Sequence, residues 1–116
     1  MALTVSILHN PRCSKSRQTV ALLEDKGIKY KMIMYLTDPP STEELKSLQG
    51  LLGMPVIEFT RTGERVFKEL GLTKDSTDAE LIAAIVAHPI LLERPIVIAN
   101  GKAAIGRPPE NVLSIL

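Results

Sequence analysis

The opening of the chain alternates between strand-like and helical composition, and this order constrains the fold more than any other feature. Thr4–Leu8 is a short β-branched and aliphatic run, which predicts a buried strand. Residues 15–26 are helical in composition, and Gly27 is placed to end that helix. Residues 29–36, KYKMIMYL, then predict a second strand with the apolar centre MIM. The sequence therefore predicts a β-α-β opening.

A helical insertion is predicted next, over about residues 38–92. Two capping boxes mark helix starts, Ser-x-x-Glu at 41–44 and Thr-x-x-Glu at 77–80, and each is followed by apolar residues at helical spacing. Residues 56–70 predict one or two short helices between them. The apolar positions predicted to be buried on the two capped helices are Leu45, Leu48, Leu52, Leu81, Ile82, Ile85 and Val86.

The last part of the chain returns to strand-like composition. Residues 94–106, RPIVIANGKAAIG, contain an apolar run, an Asn-Gly hairpin signal and a second short strand. Pro108 and Pro109 then suit the first turn of a terminal helix over 110–116. The complete order is that of an α/β, thioredoxin-like fold with an inserted helical subdomain. The 116 residues are enough for one domain, residues 1–116, with one modest core.

Composition and charge argue against several classes of protein. A hydrophobic fraction of 45% excludes global disorder. The net charge of +1, with no Trp and two each of Tyr and Phe, argues against a nucleic-acid-binding protein. No apolar run reaches membrane-spanning length, and the first residues lack the basic region of a signal peptide. A single cysteine fits a reducing cytoplasm and excludes a zinc site of several thiolates.

That cysteine, Cys13, lies in the predicted turn between the first strand and the first helix, in the stretch NPRCSKSR. A helix N-terminus and nearby cations both lower a thiol pKa, so the pattern favours a reactive cysteine over an inert one. Ser16 stands where a thioredoxin-type motif has its second cysteine, so another molecule must resolve any disulfide formed. A phosphatase-like loop is excluded, because Thr19 occupies the position of its arginine. The nearby cations are Arg12, Lys15 and Arg17.

Two roles stay open for the cations and for the neighbouring histidine. The cations either are solvated, as most surface Lys and Arg are, or bind the oxygen atoms of an anionic substrate. Arginine suits tetrahedral oxyanions because its guanidinium donates two parallel hydrogen bonds, whereas a solvated role is favoured for Lys15. His9 ends the first strand and either caps the turn or takes part in catalysis.

Three blocks, HNPRCSKSR, HPILLERPIVI and GRPPENVL, resemble the glutaredoxin-coupled arsenate reductases of the ArsC family, in the branch that carries NPRCSKSR. The resemblance covers essentially the whole chain. It implies that Cys13 attacks arsenate and that Arg61, Arg94 and Arg107 bind the oxyanion. The thioredoxin-like fold also implies a cis peptide bond before Pro95, which is accessible only because the residue is proline. Supporting residues implied by the same blocks are His9, Asn10, Ser16, Arg17 and Pro95.

The resemblance also implies the reaction partners. No bound cofactor is expected; glutathione, as co-substrate, forms a mixed disulfide with Cys13, and glutaredoxin removes it. This chain departs from the best-known members at Arg12 and Lys15, where those have small uncharged residues. Two alternatives stay open: a glutathione-dependent oxidoreductase of another substrate, and a non-enzymatic regulatory module related to RNA-polymerase-binding redox sensors. Ser16 argues against the second, because those sensors use a Cys-x-x-Cys pair.

Overall fold

The computed structural model describes residues 5–116, which divide into two compact units. One unit comprises the residues up to Asp38 together with Arg94–Leu116, and the other is Pro39–Glu93. The second unit therefore interrupts the first in sequence, between its second and third strands. Thr4, the predicted first residue of the opening strand, lies outside the described residues.

The first unit contains a four-stranded sheet with the strand order β2-β1-β3-β4. Its strands are β1 (Val5–Leu8), β2 (Lys31–Ile33), β3 (Ile96–Ala99) and β4 (Lys102–Ile105). Strands β1 and β2 are parallel because helix α1 (Ser14–Asp25) carries the chain back to the starting edge. Strand β3 pairs antiparallel with both β1 and β4. Along the chain, the elements follow the thioredoxin-like order that the sequence predicts, β-α-β followed by β-β and a terminal helix.

One face of this sheet packs against α1 and a C-terminal 3-10 helix, Pro109–Ile115. Alternate residues of β1 and β3 supply the sheet side of the core, as the two-residue period of a strand requires. Complete burial of one aliphatic side chain contributes about 1.5–3 kcal/mol, so this cluster fixes the position of α1 on the sheet. Its buried members are Val5, Ile7, Leu23, Val97, Ala99, Val112 and Ile115.

The hairpin between β3 and β4 forms at Asn100 and Gly101, as predicted. Both residues have positive φ angles, 54° and 72°, which is the conformation of a tight two-residue hairpin and the reason that Asn-Gly is favoured there. The Asn100 side chain also donates a 2.7 Å hydrogen bond to the carbonyl oxygen of Ile115, which ties the hairpin to the C-terminal helix.

Two elements of the first unit differ from their predictions. Strand β2 covers three residues rather than the predicted 29–36, and Met32 and Met34 are 42% and 37% exposed. The strand lies at the edge of the sheet, and a hydrogen bond from Tyr35 N to Ile33 O turns the chain away. The terminal helix is 3-10 rather than α-helical, because its backbone closes i to i+3 hydrogen bonds such as Asn111 N to Pro108 O and Leu116 N to Leu113 O.

The second unit is helical, with α2 (Thr42–Leu52), α3 (Arg65–Glu69) and α4 (Asp78–Ala87). Short 3-10 helices occupy Val56–Phe59 and Pro89–Leu91. Both predicted capping boxes are present at the starts of α2 and α4, where they satisfy backbone N–H groups that a helix leaves unpaired.

The buried faces of these helices largely match the prediction. Leu45 and Leu48 of α2 are buried, as are Leu81, Ile82 and Ile85 of α4, and the two helices pack together. Leu52 is partly buried. Val86 was predicted to be buried but is 36% exposed, because it lies beyond the edge of the apolar stripe of α4. Across the described residues, no helix has the length and apolar character needed to cross a membrane.

Candidate active site

Cys13 is the N-cap residue of α1, and its side chain is only 8% exposed. Its backbone is extended, with φ −94° and ψ 123°, so the helix begins immediately after it. The preceding turn is closed by a 3.0 Å hydrogen bond from Cys13 N to Asn10 O. At this position the N–H groups of the first helical turn are directed at the sulfur, where they stabilise negative charge.

The pKa of the Cys13 thiol is lowered from its ordinary value. Burial on its own raises this pKa, but backbone hydrogen bonds from Ser16 and Lys15 and the positive charges of Arg94 and Arg107 outweigh that effect. The direction agrees with the sequence prediction, although the guanidinium charges come from residues distant in sequence. Arg12 and Arg17 are exposed instead.

Arg94 and Arg107, two of the three predicted oxyanion ligands, lie in the same unit as Cys13. Arg107 Nη2 is 3.9 Å from Cys13 Sγ, and Arg107 Nε donates a 3.0 Å hydrogen bond to the carbonyl oxygen of Arg94. Both arginines are half-buried. The Arg94–Pro95 peptide bond is cis, as predicted, and the Arg107–Pro108 bond is also cis, which was not predicted.

Gly106 carries no sequence signal that predicts a role, apart from its place at the start of the GRPP block, yet its lack of a side chain determines how closely the segment before Arg107 can pack. Its N–H donates a 2.9 Å hydrogen bond to the carbonyl oxygen of Pro95. A Cβ at residue 106 would lie 2.6 Å from Thr19 Oγ1 and 2.8 Å from Pro95 Cγ, which is far inside van der Waals contact. Glycine therefore allows the end of β4 to approach both α1 and the proline.

A buried hydrogen-bond network holds the turn before α1. Ser16 Oγ accepts a 3.0 Å hydrogen bond from Asn10 N and lies 2.6 Å from His9 Nδ1. Burial, assisted by the charge of Arg17, lowers the pKa of His9, so its ring is neutral near pH 7. The Ser16 hydroxyl can therefore donate its proton to Nδ1. His9 and Ser16 therefore stabilise the turn that carries Cys13.

The predicted supporting residues around the turn make mainly local contacts. Arg17 Nη1 donates a 2.8 Å hydrogen bond to the carbonyl oxygen of Pro11, and Asn10 Oδ1 accepts one of 3.0 Å from Arg12 N. These bonds brace the turn. The Arg12 guanidinium itself projects from the exposed side of this turn, where it is accessible to an anion.

Arg61 lies in the second unit, between two carboxylates. Its Nε is 3.1 Å from Glu64 Oε1 and its Nη1 is 3.1 Å from Glu93 Oε1, with all three side chains about one-quarter exposed. Burial lowers the pKa of Arg61, but the two carboxylates outweigh it and the pKa is raised. A hydrogen bond from Arg61 N to Leu91 O fixes its backbone beside the same segment. The charge of Arg61 is thus balanced within its own unit, and its participation in oxyanion binding stays a prediction.

The lowered pKa predicts how Cys13 reacts with an alkylating agent. Because the thiolate is the reactive form, we expect the alkylation rate to rise with pH to a midpoint below that of a free thiol, about 8.5. Iodoacetamide is suitable because it is neutral, and Cys13 is the only thiol in the chain. A midpoint equal to or above that of a free cysteine peptide, measured in the same buffers, would contradict the predicted thiolate stabilisation.

Comparison with known proteins places the chain in a family. A sequence model of the ArsC family matches residues 8–115. An arsenate reductase of Neisseria meningitidis is 48% identical over 114 residues, covering 97% of each chain, and one of Haemophilus influenzae is 50% identical over 116 residues, covering 98% of this chain and all of the relative. The solved structure of an arsenate reductase from Vibrio cholerae superposes with a TM-score of 0.95 at 52% identity, covering both chains completely. The chain therefore belongs to the ArsC family and has its thioredoxin-like fold.

Proposed function

We propose that this protein reduces arsenate to arsenite, with the Cys13 thiolate as the nucleophile. The observation that carries the proposal is the position of Cys13 at the N-terminus of α1, with the Arg107 guanidinium 3.9 Å from its sulfur. A stabilised thiolate beside a guanidinium is suited to an electrophilic oxyanion. The names of the relatives from Neisseria meningitidis and Haemophilus influenzae, both arsenate reductases, support arsenate as that oxyanion.

In the first step, the Cys13 thiolate attacks the arsenic atom of arsenate. A sulfur–arsenic bond forms, and one arsenate oxygen leaves as water after taking up protons. Arsenic remains As(V) at this stage. Arg107 and Arg94 stabilise the negative charge on the remaining oxygens, since guanidinium groups donate charge-assisted hydrogen bonds in a geometry that matches oxyanions.

The second step requires a thiol from outside the chain, because Cys13 is the only cysteine. We assign this role to glutathione, whose thiolate attacks Cys13 Sγ. A sulfur–sulfur bond forms, the sulfur–arsenic bond breaks, and its electron pair passes to arsenic. Arsenic is thereby reduced from As(V) to As(III) and leaves as arsenite, while the two sulfurs are oxidised to a disulfide.

The third step returns Cys13 to the thiolate state. A glutaredoxin thiolate attacks the glutathione sulfur of the mixed disulfide, and Cys13 leaves as the thiolate that its environment stabilises. A low leaving-group pKa speeds such exchange, so the contacts that activate Cys13 also favour its release. We place the reaction in the cytoplasm, where thiols are kept reduced.

A coupled assay tests the proposed function. Purified protein, arsenate, glutathione, glutaredoxin, glutathione reductase and NADPH are combined, and NADPH oxidation is followed by its absorbance. We expect the rate to depend on arsenate and on each thiol component, and to vanish when the protein is omitted. Protein-dependent NADPH oxidation that occurs with bis(2-hydroxyethyl) disulfide as the electron acceptor, but not with arsenate, would indicate a general thiol oxidoreductase. No turnover with any thiol donor would contradict the proposal.

A further inference from the structure

A cleft of about 240 Å³ lies beside the turn that carries Cys13. It is lined by Pro11 and Arg12, which immediately precede the cysteine, and by Met34 and Leu36, which follow β2. The cleft lies within the first unit. A ligand seated there would be placed next to the segment that holds the nucleophile.

The apolar side of this cleft is more exposed than the fold requires. Met34 and Leu36, which line it, are 37% and 41% exposed, and they follow β2, an edge strand of the sheet. Methionine adapts its shape to a ligand, which suits Met34 to the wall of a binding cleft. Met34 and Leu36 lie in the part of the predicted second strand, residues 34–36, that does not pair in the sheet.

The charge of the cleft selects an anion. Arg12 is the only Lys or Arg among the lining residues, and no Asp or Glu is among them. His9, at the buried side, is neutral because its pKa is lowered. The cleft therefore combines an apolar surface with one exposed cation, which complements a small peptide carrying a carboxylate.

We propose that this cleft is the docking site for glutathione, with a peptide carboxylate on Arg12 and the apolar part of the peptide on Met34 and Leu36. The assignment rests on the proposed function, in which a glutathione thiolate attacks Cys13. The cleft has a volume of about 240 Å³ and seven lining residues, which suits a ligand the size of a tripeptide. A protein partner would instead cover about 800 Å² of surface on each side. In this arrangement the exposed Arg12 guanidinium binds the peptide carboxylate next to Cys13.

Thiol–disulfide exchange tests the docking site without arsenate. The Cys13 thiolate attacks one sulfur of oxidised glutathione, forming the mixed disulfide and releasing one glutathione thiolate. The same reaction with bis(2-hydroxyethyl) disulfide, which is neutral, measures the intrinsic reactivity of Cys13. Both rates are obtained by mass spectrometry for the wild type, Arg12→Gln, Met34→Glu and the control Lys31→Gln, which removes an exposed cation from β2 outside the cleft.

We expect Arg12→Gln to slow exchange with oxidised glutathione by about two- to fivefold, the size of one exposed charge pair, and to leave exchange with the neutral disulfide unchanged. Met34→Glu should show the same selectivity, because it adds a negative charge to the cleft. Lys31→Gln should change neither rate. The effect of Arg12→Gln on the rate of exchange with oxidised glutathione should diminish at high salt, because salt screens exposed charges.

Two results would overturn the proposal. If Arg12→Gln slowed exchange equally with both disulfides, or slowed it with neither, the cleft would not select glutathione. Unchanged exchange together with an increased glutaredoxin requirement in the coupled assay would instead identify a protein-docking surface. Because the exchange reaction contains no arsenate, its outcome is independent of whether arsenate is the substrate.

Discussion

Cys13→Ser is expected to abolish arsenate reduction while the protein remains folded. The hydroxyl is almost entirely protonated at neutral pH and cannot form the disulfide that supplies two electrons to arsenic. We expect kcat to fall by at least about 10³-fold, as on removal of other essential nucleophiles. The coupled assay measures the loss, and circular dichroism with thermal unfolding checks the fold.

Ser14→Ala is a matched control for this substitution. Ser14 is the next residue, is exposed and is the first residue of α1, so its variant changes the same turn without removing the thiol. It should keep turnover near that of the wild type. If Cys13→Ser retained more than a small fraction of arsenate turnover with a folded protein, the nucleophile would have to be assigned elsewhere.

Arg107→Ala should cause the second large loss. The substitution removes the guanidinium group 3.9 Å from Cys13 Sγ and the hydrogen bond from Arg107 Nε to Arg94 O. A charge-assisted hydrogen bond contributes about 1.5–3 kcal/mol, so kcat/KM should fall by about 10- to 150-fold. The pKa of Cys13 should rise, because one of the charges that lower it is gone.

Further variants separate oxyanion binding from a general loss of structure. Arg107→Lys keeps the charge without the bidentate fork and should retain part of the pKa effect but little arsenate turnover. Arg94→Ala should also lose arsenate reduction, whereas iodoacetamide should still modify Cys13 in every one of these variants. Near-wild-type turnover in both alanine variants would show that the oxyanion site is wrongly assigned.

The order of strands and helices was predictable because each element carries a local signal. The two capping boxes and the Asn100-Gly101 turn act over a few residues, and each formed where predicted. The extent of β2 was not predictable in this way. Met34, Tyr35 and Leu36 have strand-like composition, but the pairing partner of an edge strand decides how far the strand continues.

The same distinction holds for the candidate site. The position of Cys13 at a helix N-terminus followed from the local order of strand, turn and helix. The positive charges that lower the pKa of Cys13 could not be predicted in this way. Arg107 is 94 residues away in the sequence, and only the folded sheet brings its guanidinium group to the sulfur. Only the family resemblance indicated Arg94 and Arg107 in advance.

Arg61 shows a limit of that resemblance. Motif position indicates an arginine but not its surroundings, and the structure places it between Glu64 and Glu93. Glu64 is three residues away and was available to a local argument, whereas Glu93 is 32 residues away and was not. A buried or half-buried arginine needs a counter-anion, and in this unit two side chains supply it.

The close approach at Gly106 links three positions in the evolution of the sequence. A methyl group at residue 106 meets the β-branched side chain of Thr19 and the rigid ring of Pro95, neither of which can move aside. A lineage could enlarge residue 106 only after shortening residue 19 and replacing residue 95, and that last change would alter the backbone next to Arg94. Residues 19, 95 and 106 should therefore change together rather than independently.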